Sequence, residues 1–255
     1  MMAIRAETLI MEQGGMFMNR RTGVLAFLAL ILIAGAFFYL VYAGVIRLNK
    51  PSETDYPVRG VDVSEYQGEI DWAKIAAQGI DFTYIKATEG SSYADPYFAQ
   101  NLPGAEAAGL RAGAYHFFSF DSPGLSQAES FIRTVPARDS MLPPAVDLEL
   151  YGAYQEDPKP ADDVWLELQA TLDALKAAYG KRPVLYVTDR AYDLYVSGRD
   201  LPYDIWIRSV YLSPRVENWT FWQYSDKGTL DGYAGEEKYI DLNVFDGSEA
   251  EFAAY

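Results

Sequence analysis

The pattern of apolar and polar positions divides the chain into two unlike parts. From 22 to 46 there is no charge, and Leu, Ala, Ile, Phe and Val dominate. A helix of about 25 such residues is long enough to cross a bilayer core. From 58 onward, short apolar runs alternate with amphipathic ones, the pattern of parallel βα units. Strands are predicted at 58–63, 82–87, 111–118, 143–150, 183–187, 204–207, 221–224 and 239–244. Helices are predicted at 71–78, 96–108, 125–134 and 162–179. The last is the best defined, with Asp162 and Asp163 in its first turn, Val164, Leu168, Leu172 and Leu175 on one face, and Gly180 as its stop. Pro103-Gly104 is expected to break or kink the helix at 96–108. Eight strands with fewer than eight helices predict an α/β fold: an irregular TIM-like β/α barrel, preceded by one transmembrane helix.

The same pattern sets the expected boundaries. Residues 1–21 form a short N-terminal segment, 22–46 a transmembrane anchor or signal sequence, 47–57 a linker, 58–247 the folded domain and 248–255 a C-terminal tail. Arg20-Arg21 abuts the apolar run, which favours a cytoplasmic N-terminus and an exported, periplasmic or extracellular, domain. A signal peptidase could cut near Val41-Tyr42-Ala43 and release the domain. The run is longer than an ordinary signal-peptide core, however, so an uncleaved single-pass anchor is preferred.

Composition narrows the chemistry. A net charge of -15 argues against nucleic acid as the partner. With no cysteine, thiolate nucleophiles, disulfides and thiolate metal sites are excluded, and with a single histidine the ligand set is poor, so neither cofactor nor metal is expected. Nothing in the pattern calls for an oligomer, and a monomer is expected.

The predicted strand ends are rich in polar groups. Asp62 follows the first strand, Lys86 and Glu89 the second, and His116 the third. Asp147 and Glu149 close the fourth, Tyr186 the fifth and Trp206 the sixth, while Gln223 and Asp241 belong to the last two. Asp147 and Glu149 stand two apart, so on a strand both leave the same face, with Cα atoms about 6.5 Å apart. Like charges in an apolar strand should raise at least one pKa. In a parallel barrel all these positions converge on the C-terminal mouth. Four carboxylates with aromatic side chains there suit acid/base cleavage of a polyhydroxylated substrate, and glycoside hydrolysis is the reaction class that needs them.

Arg59-Gly60-Val61-Asp62-Val63-Ser64-Glu65-Tyr66-Gln67-Gly68 with Ile70-Asp71-Trp72 resembles the opening of the family 25 glycoside hydrolases, the fungal and phage type of lysozyme. The likeness continues in 82–90, in Gly113-Ala114-Tyr115-His116-Phe117, in Asp147-Leu148-Glu149, in Trp222-Gln223-Tyr224-Ser225 and in 240–245. The resemblance implies an irregular β/α barrel that cuts the β-1,4 bond between N-acetylmuramic acid and N-acetylglucosamine in peptidoglycan. It places Glu149 as proton donor and Asp147 as its partner, with Asp62 and Asp241 as the other cleft acids. Asp147 would then orient the substrate's acetamido group or assist water.

Other residues divide between cleft and core. Tyr115, His116, Tyr186, Trp206, Trp222 and Gln223 are the expected substrate-binding residues, with His116 acting through hydrogen bonds rather than proton transfer. Trp72 is a further candidate for stacking on sugar, and Lys86 reads as an ion-pair partner rather than a Schiff-base lysine. Asp95, Asp121, Asp139, Asp157 and Asp231 read as solvated loop or turn acids. The run Ile207-Arg208-Ser209-Val210-Tyr211 departs from the family pattern and leaves the loop after the sixth strand unassigned. Two alternatives remain open: a glycosidase acting on another N-acetylglucosamine polymer, and a non-catalytic membrane-tethered wall-binding module.

Overall fold

The computed structural model describes residues 20–200 and 202–255. Most of the expected N-terminal segment, residues 1–19, lies outside the described residues. The chain forms two compact units, divided between Ile46 and Arg47.

The first unit contains helix α1 (Arg20–Tyr42). Its stretch Arg21–Tyr42 has a mean hydropathy of 2.8 and is long and apolar enough to cross a membrane. No part of that stretch is buried by the chain itself, as expected of a helix whose apolar surface is not taken up in a protein core.

The second unit, Arg47–Tyr255, is the barrel. Its strands are β1 (Arg59–Val63), β2 (Phe82–Glu89), β3 (Tyr93–Ala94), β4 (Arg111–Phe117), β5 (Ala145–Leu148), β6 (Val184–Thr188), β7 (Asp204–Arg208), β8 (Phe221–Gly228) and β9 (Ile240–Phe245). Eight of them close in the order β1-β2-β4-β5-β6-β7-β8-β9, with β9 returning to β1. The two-residue β3 only extends the end of β2 as an antiparallel partner. Pairing is parallel from β1 through β8, whereas β9 runs antiparallel to both neighbours, Asp62 standing opposite Asp241. This is the irregular barrel expected from the sequence, and the reversed β9 is its main irregularity.

The helices are α2 (Trp72–Ala76), α3 (Phe98–Ala107), α4 (Gly124–Thr134), α5 (Ala161–Tyr179), α6 (Asp189–Ala191) and α7 (Glu249–Ala254). Helix α3 continues through Pro103 instead of ending there. Gly104 sits where a Cβ would stand 2.8 Å from Cδ1 of Trp72, so the close packing of α2 on α3 requires glycine. Gly180 stops α5 in the left-handed conformation, as its sequence predicts.

Strand alternation sorts side chains into two cores. Val61, Ile85, Val146, Leu148, Leu185, Val187 and Ile207 pack outward with the helices. Val58, Phe82, Tyr84, Ala145, Val184, Trp206, Phe221 and Phe245 fill the barrel. Neither core includes a residue of α1, so Arg47–Tyr255 contains all that its fold needs.

Two terminal segments differ from their expected roles. The tail 248–255 is ordered: Ser248 and Glu251 form a capping box, and Phe252, 6% exposed, closes the bottom of the barrel against Phe82 and Phe245. The segment 47–57, expected as a linker from its Pro, Ser and Thr, is packed on the barrel. Asn49 is 4% exposed, and Tyr56 lies against Trp219 and Trp222. A buried amide and an aromatic ring help dock a segment whose other residues are mostly polar or proline.

Candidate active site

The strand parity that fills the barrel with apolar side chains brings a polar layer to its mouth. Asp62 lies two residues beyond Gly60 on β1, and Lys86 two beyond Tyr84 on β2. On β5, Asp147 follows Ala145, and Glu149 is the first residue past the strand. Tyr186, Arg208, Gln223 and Asn243 occupy the same face of β6, β7, β8 and β9. Alternation rather than chance therefore assembles the site.

Asp62 is the best-solvated charge by proxy. Its Oδ2 accepts hydrogen bonds from Nε2 of Gln223 at 2.9 Å and Nδ2 of Asn243 at 2.7 Å. Both amides are themselves held: Tyr186 Oη donates to Gln223 Oε1 at 3.0 Å, and Trp206 Nε1 donates to Asn243 Oδ1 at 2.8 Å. Each amide oxygen is thus occupied, and each amide can offer only N–H to Asp62. Burial raises the Asp62 pKa, while these donors and Asp241 pull it back. Asp241 is pushed well above the carboxylate range by burial, then by repulsion from Asp62 and Asp226. Of this pair, Asp241 holds its proton more tightly, and Asp62, with its two amide donors, gives its proton up more readily.

Asp147 and Glu149 also lie above their usual range, in both cases through burial first. Repulsion from Glu149 and Asp62 adds to the effect at Asp147, and Lys86 and Arg208 oppose it. At Glu149, Arg208 and Lys86 oppose burial, and Asp62 adds to it. Asp147 Oδ1 is buried without a hydrogen-bond partner. A buried acceptor left open is costly, and a ligand N–H can satisfy it.

A cavity of ≈ 300 Å³ opens at this mouth, lined by Asp62, Tyr66, Tyr115, Asp226, Tyr239 and Asp241 among others. Tyr66, 54% exposed, offers aromatic surface at the edge of this cavity. The cations balancing the acids are Lys86, paired with Glu89 at 2.7 Å, and Arg208, paired with Asp226 at 2.7 Å. Among the described residues, no group of three or more His, Cys, Asp or Glu is placed to hold a metal ion.

The structure brings Asp62, Asp147, Glu149, Asp241, Tyr115, Tyr186 and Gln223 together and separates other expected site residues from them. Trp206 is 2% exposed and stacks on Tyr84 below the acids, so its indole serves Asn243 rather than a sugar. Trp222 faces outward, donating Nε1 to the Ser209 carbonyl at 2.9 Å, and Trp72 is buried with Nε1 on Asn101. Asp95 is a buried turn acid rather than a solvated one, accepting from the N–H of Glu65 at 2.8 Å and of Tyr97 at 2.9 Å.

His116 is likewise outside the cleft. It alternates with Tyr115 and so faces α4, fully buried, with Nδ1 at 2.7 Å from Thr88 Oγ1 and Nε2 at 3.0 Å from Gln127 Oε1. Gln127 Nε2 donates to the carbonyls of Ser119 and Ser122, which leaves Oε1 to accept from His116 Nε2–H. Nδ1 then accepts from Thr88, and the ring is neutral. Burial holds its pKa down at about 4. Because that lies below the unfolded value near 6.5, the unfolded chain binds the proton first and stability falls as pH drops from 6.5 toward 4. Between pH 7 and pH 4.5 the parent should lose about 2.5 kcal/mol more than His116→Gln in urea unfolding. Parallel pH curves for the two proteins would contradict a neutral buried His116.

The residues at the mouth not anticipated from sequence are Arg208, Asn243, Asp226, Tyr66 and Tyr239. Arg208 and Asn243 stand two residues after Trp206 and Asp241, so counting by twos along each strand would have found them. Asp226 follows irregular register in β8 between Gln223 and Gly228, where such counting fails.

Comparison with known proteins agrees with this geometry. Residues 61–233 match the sequence profile of Glycosyl hydrolases family 25. The chain is 33% identical over 227 residues to Lysozyme M1 of Streptomyces globisporus, covering 82% of this chain and 74% of that protein. A family 25 glycosyl hydrolase structure from Bacillus anthracis superposes with a TM-score of 0.77 at 48% identity, covering 81% of this chain and 96% of the other. A bacterial lysozyme structure from Streptomyces coelicolor does so with a TM-score of 0.70 at 31% identity, covering 77% and 95%. With the profile spanning most of the barrel and its acids at the mouth, this chain belongs to family 25 of the glycosyl hydrolases.

Proposed function

We propose that the protein is a muramidase that cleaves the β-1,4 bond between N-acetylmuramic acid and N-acetylglucosamine in peptidoglycan. The observation that carries the reading is the pairing of Asp147 at the end of β5 with Glu149 just past it, both held above the carboxylate range by burial, beside an Asp62 that accepts hydrogen bonds from two amides. The names of the relatives, lysozyme among them, supply the sugar class.

The mechanism follows from where protons and donors stand. Both Asp147 and Glu149 are shifted upward, with repulsion from Glu149 adding to burial at Asp147, so the pair holds a proton more tightly than isolated carboxylates do. The substrate's acetamido N–H on Asp147 Oδ1 gives that buried oxygen the partner it lacks and favours Asp147 as the anion. The proton then belongs to Glu149, which delivers it to the leaving glycosidic oxygen. The acetamido carbonyl oxygen attacks the anomeric carbon as the C–O bond breaks, and Asp147 stabilises the positive ring that forms. Water opens the ring, losing its proton to Glu149 and restoring the acid, so the anomeric configuration is retained. Tyr115 and Tyr66 offer aromatic surface to the sugar.

Helix α1 is read as the membrane anchor that holds this unit on the exported side, its length and composition supporting the reading. Purified peptidoglycan treated with Arg47–Tyr255 should yield fragments whose new reducing ends are muramic acid by mass spectrometry. Glucosamine reducing ends would assign a different glycosidase, and binding without any fragments would make the domain a wall-binding module.

A further inference from the structure

The segment 47–57 precedes the residues 61–233 that match the family, yet it is tied to the barrel beside the cleft. The last paired residues of β7 and β8 are Arg208 and Gln223, after which Ser209 N–H still reaches the Gln223 carbonyl at 3.0 Å. Just beyond this point, Asn49 Nδ2 donates to the carbonyls of both Ser209, at 2.8 Å, and Tyr224, at 3.0 Å. Arg47 Nη2 donates to the Lys227 carbonyl at 2.9 Å. Two of these ties fall next to the members of an ion pair: Ser209 follows Arg208, and Lys227 follows Asp226.

The side chain of Asn49 is placed for its donors alone. Its Oδ1 is buried with no partner, and turning the amide over would set that oxygen against two carbonyls. We propose that Asn49 and Arg47 are positioning residues of the active site, holding the ends of β7 and β8 at the spacing that lets Arg208 meet Asp226 at the rim of the cleft. The catalytic unit on this view begins at Arg47 and not at β1. The inference deepens the glycosidase reading and rests on it.

Arg208 is the cation that acids face from several sides. Asp226 on β8, Tyr186 on β6, Asp147 on β5, Glu149 after β5, Asp241 on β9 and Asp62 on β1 all interact with it, and Lys86 on β2 is the other cation in reach of the acids. A rim that loosens takes Arg208 away from Glu149 and Asp241, and burial then holds protons on them to higher pH.

The test compares Arg47–Tyr255 with Asn49→Ala, Arg47→Ala, Arg208→Gln and the Asn49→Ala/Arg208→Gln double variant. Two readouts are taken: kcat/KM for release of reducing ends from peptidoglycan, and the titration midpoints of Glu149 and Asp241 by carboxyl-carbon NMR. Asn49→Ala should lower kcat/KM about tenfold, Arg47→Ala about threefold and Arg208→Gln about thirtyfold, with the double variant close to Arg208→Gln alone. Both midpoints should rise in every variant. Unmoved midpoints in Asn49→Ala and Arg47→Ala, with only the melting temperature lowered, would overturn the proposal. Should Asn49→Ala not fold, Arg47→Ala, cut from a half-buried side chain, decides on the same readouts. A parent that releases no reducing ends refutes the glycosidase reading, and the NMR midpoints still decide the positioning role.

Discussion

Glu149→Gln is expected to slow glycan cleavage by about three orders of magnitude while leaving a folded, substrate-binding protein. Glutamine keeps the shape of the side chain and cannot give up a proton. The leaving oxygen of an unactivated sugar is too basic to depart without one. A substrate with an acidic leaving group, such as a nitrophenyl glycoside, does not need the proton, so its loss should be far smaller. That contrast separates an acid from a residue that merely binds.

The same substitution should not destabilise the domain. The Glu149 pKa is raised by burial in the folded state, so its ionisation is favoured less there than in the unfolded chain. Such a group contributes stability at low pH and loses that contribution as pH rises through its folded pKa. A neutral glutamine avoids that loss, and the melting temperature at neutral pH should hold or rise. Cleavage of peptidoglycan within tenfold of the parent rate would remove Glu149 from the acid role.

Much of this site is legible in the amino-acid sequence, because a barrel places function by simple geometry. The strand ends carry Asp62, Asp147, Glu149 and Asp241, and a parallel barrel has one mouth to which they can go. Side-chain parity and depth are harder to read. His116 neighbours Tyr115, and one residue's difference sends one to the helix layer and the other to the cavity. Trp206 has the right parity yet lies a layer too deep, where it orients Asn243. Composition misleads at 47–57, where polar residues surround the buried Asn49. The reversed β9 carries no local signal either, since an antiparallel strand and a parallel one share the same alternation. Its consequence is large, because antiparallel pairing sets Asp241 opposite Asp62.

The second large effect is expected at Asp147. Asp147→Asn should reduce kcat by about two to three orders of magnitude with little change in KM. The reason is the charge that develops during the reaction. If the acetamido oxygen is the nucleophile, the ring it forms is positive at nitrogen, and an anion hydrogen-bonded to that N–H is worth more in the transition state than in the bound substrate. Asparagine retains an oxygen for the hydrogen bond and lacks the charge. The stability consequence runs the other way, because the Asp147 pKa is raised well above its ordinary value by burial and by Glu149. Removing that titration should stabilise the domain at neutral pH. Chemical rescue distinguishes the routes. Were Asp147 a covalent nucleophile, azide would enter the space left by Asp147→Ala and restore cleavage as a glycosyl azide. With the acetamido group as nucleophile, azide should restore nothing, and a thiazoline mimic of the cyclic intermediate should bind Asp147→Asn much more weakly than the parent. Rescue by azide, or undiminished thiazoline binding, would overturn the orienting role of Asp147 while leaving Glu149 as the acid.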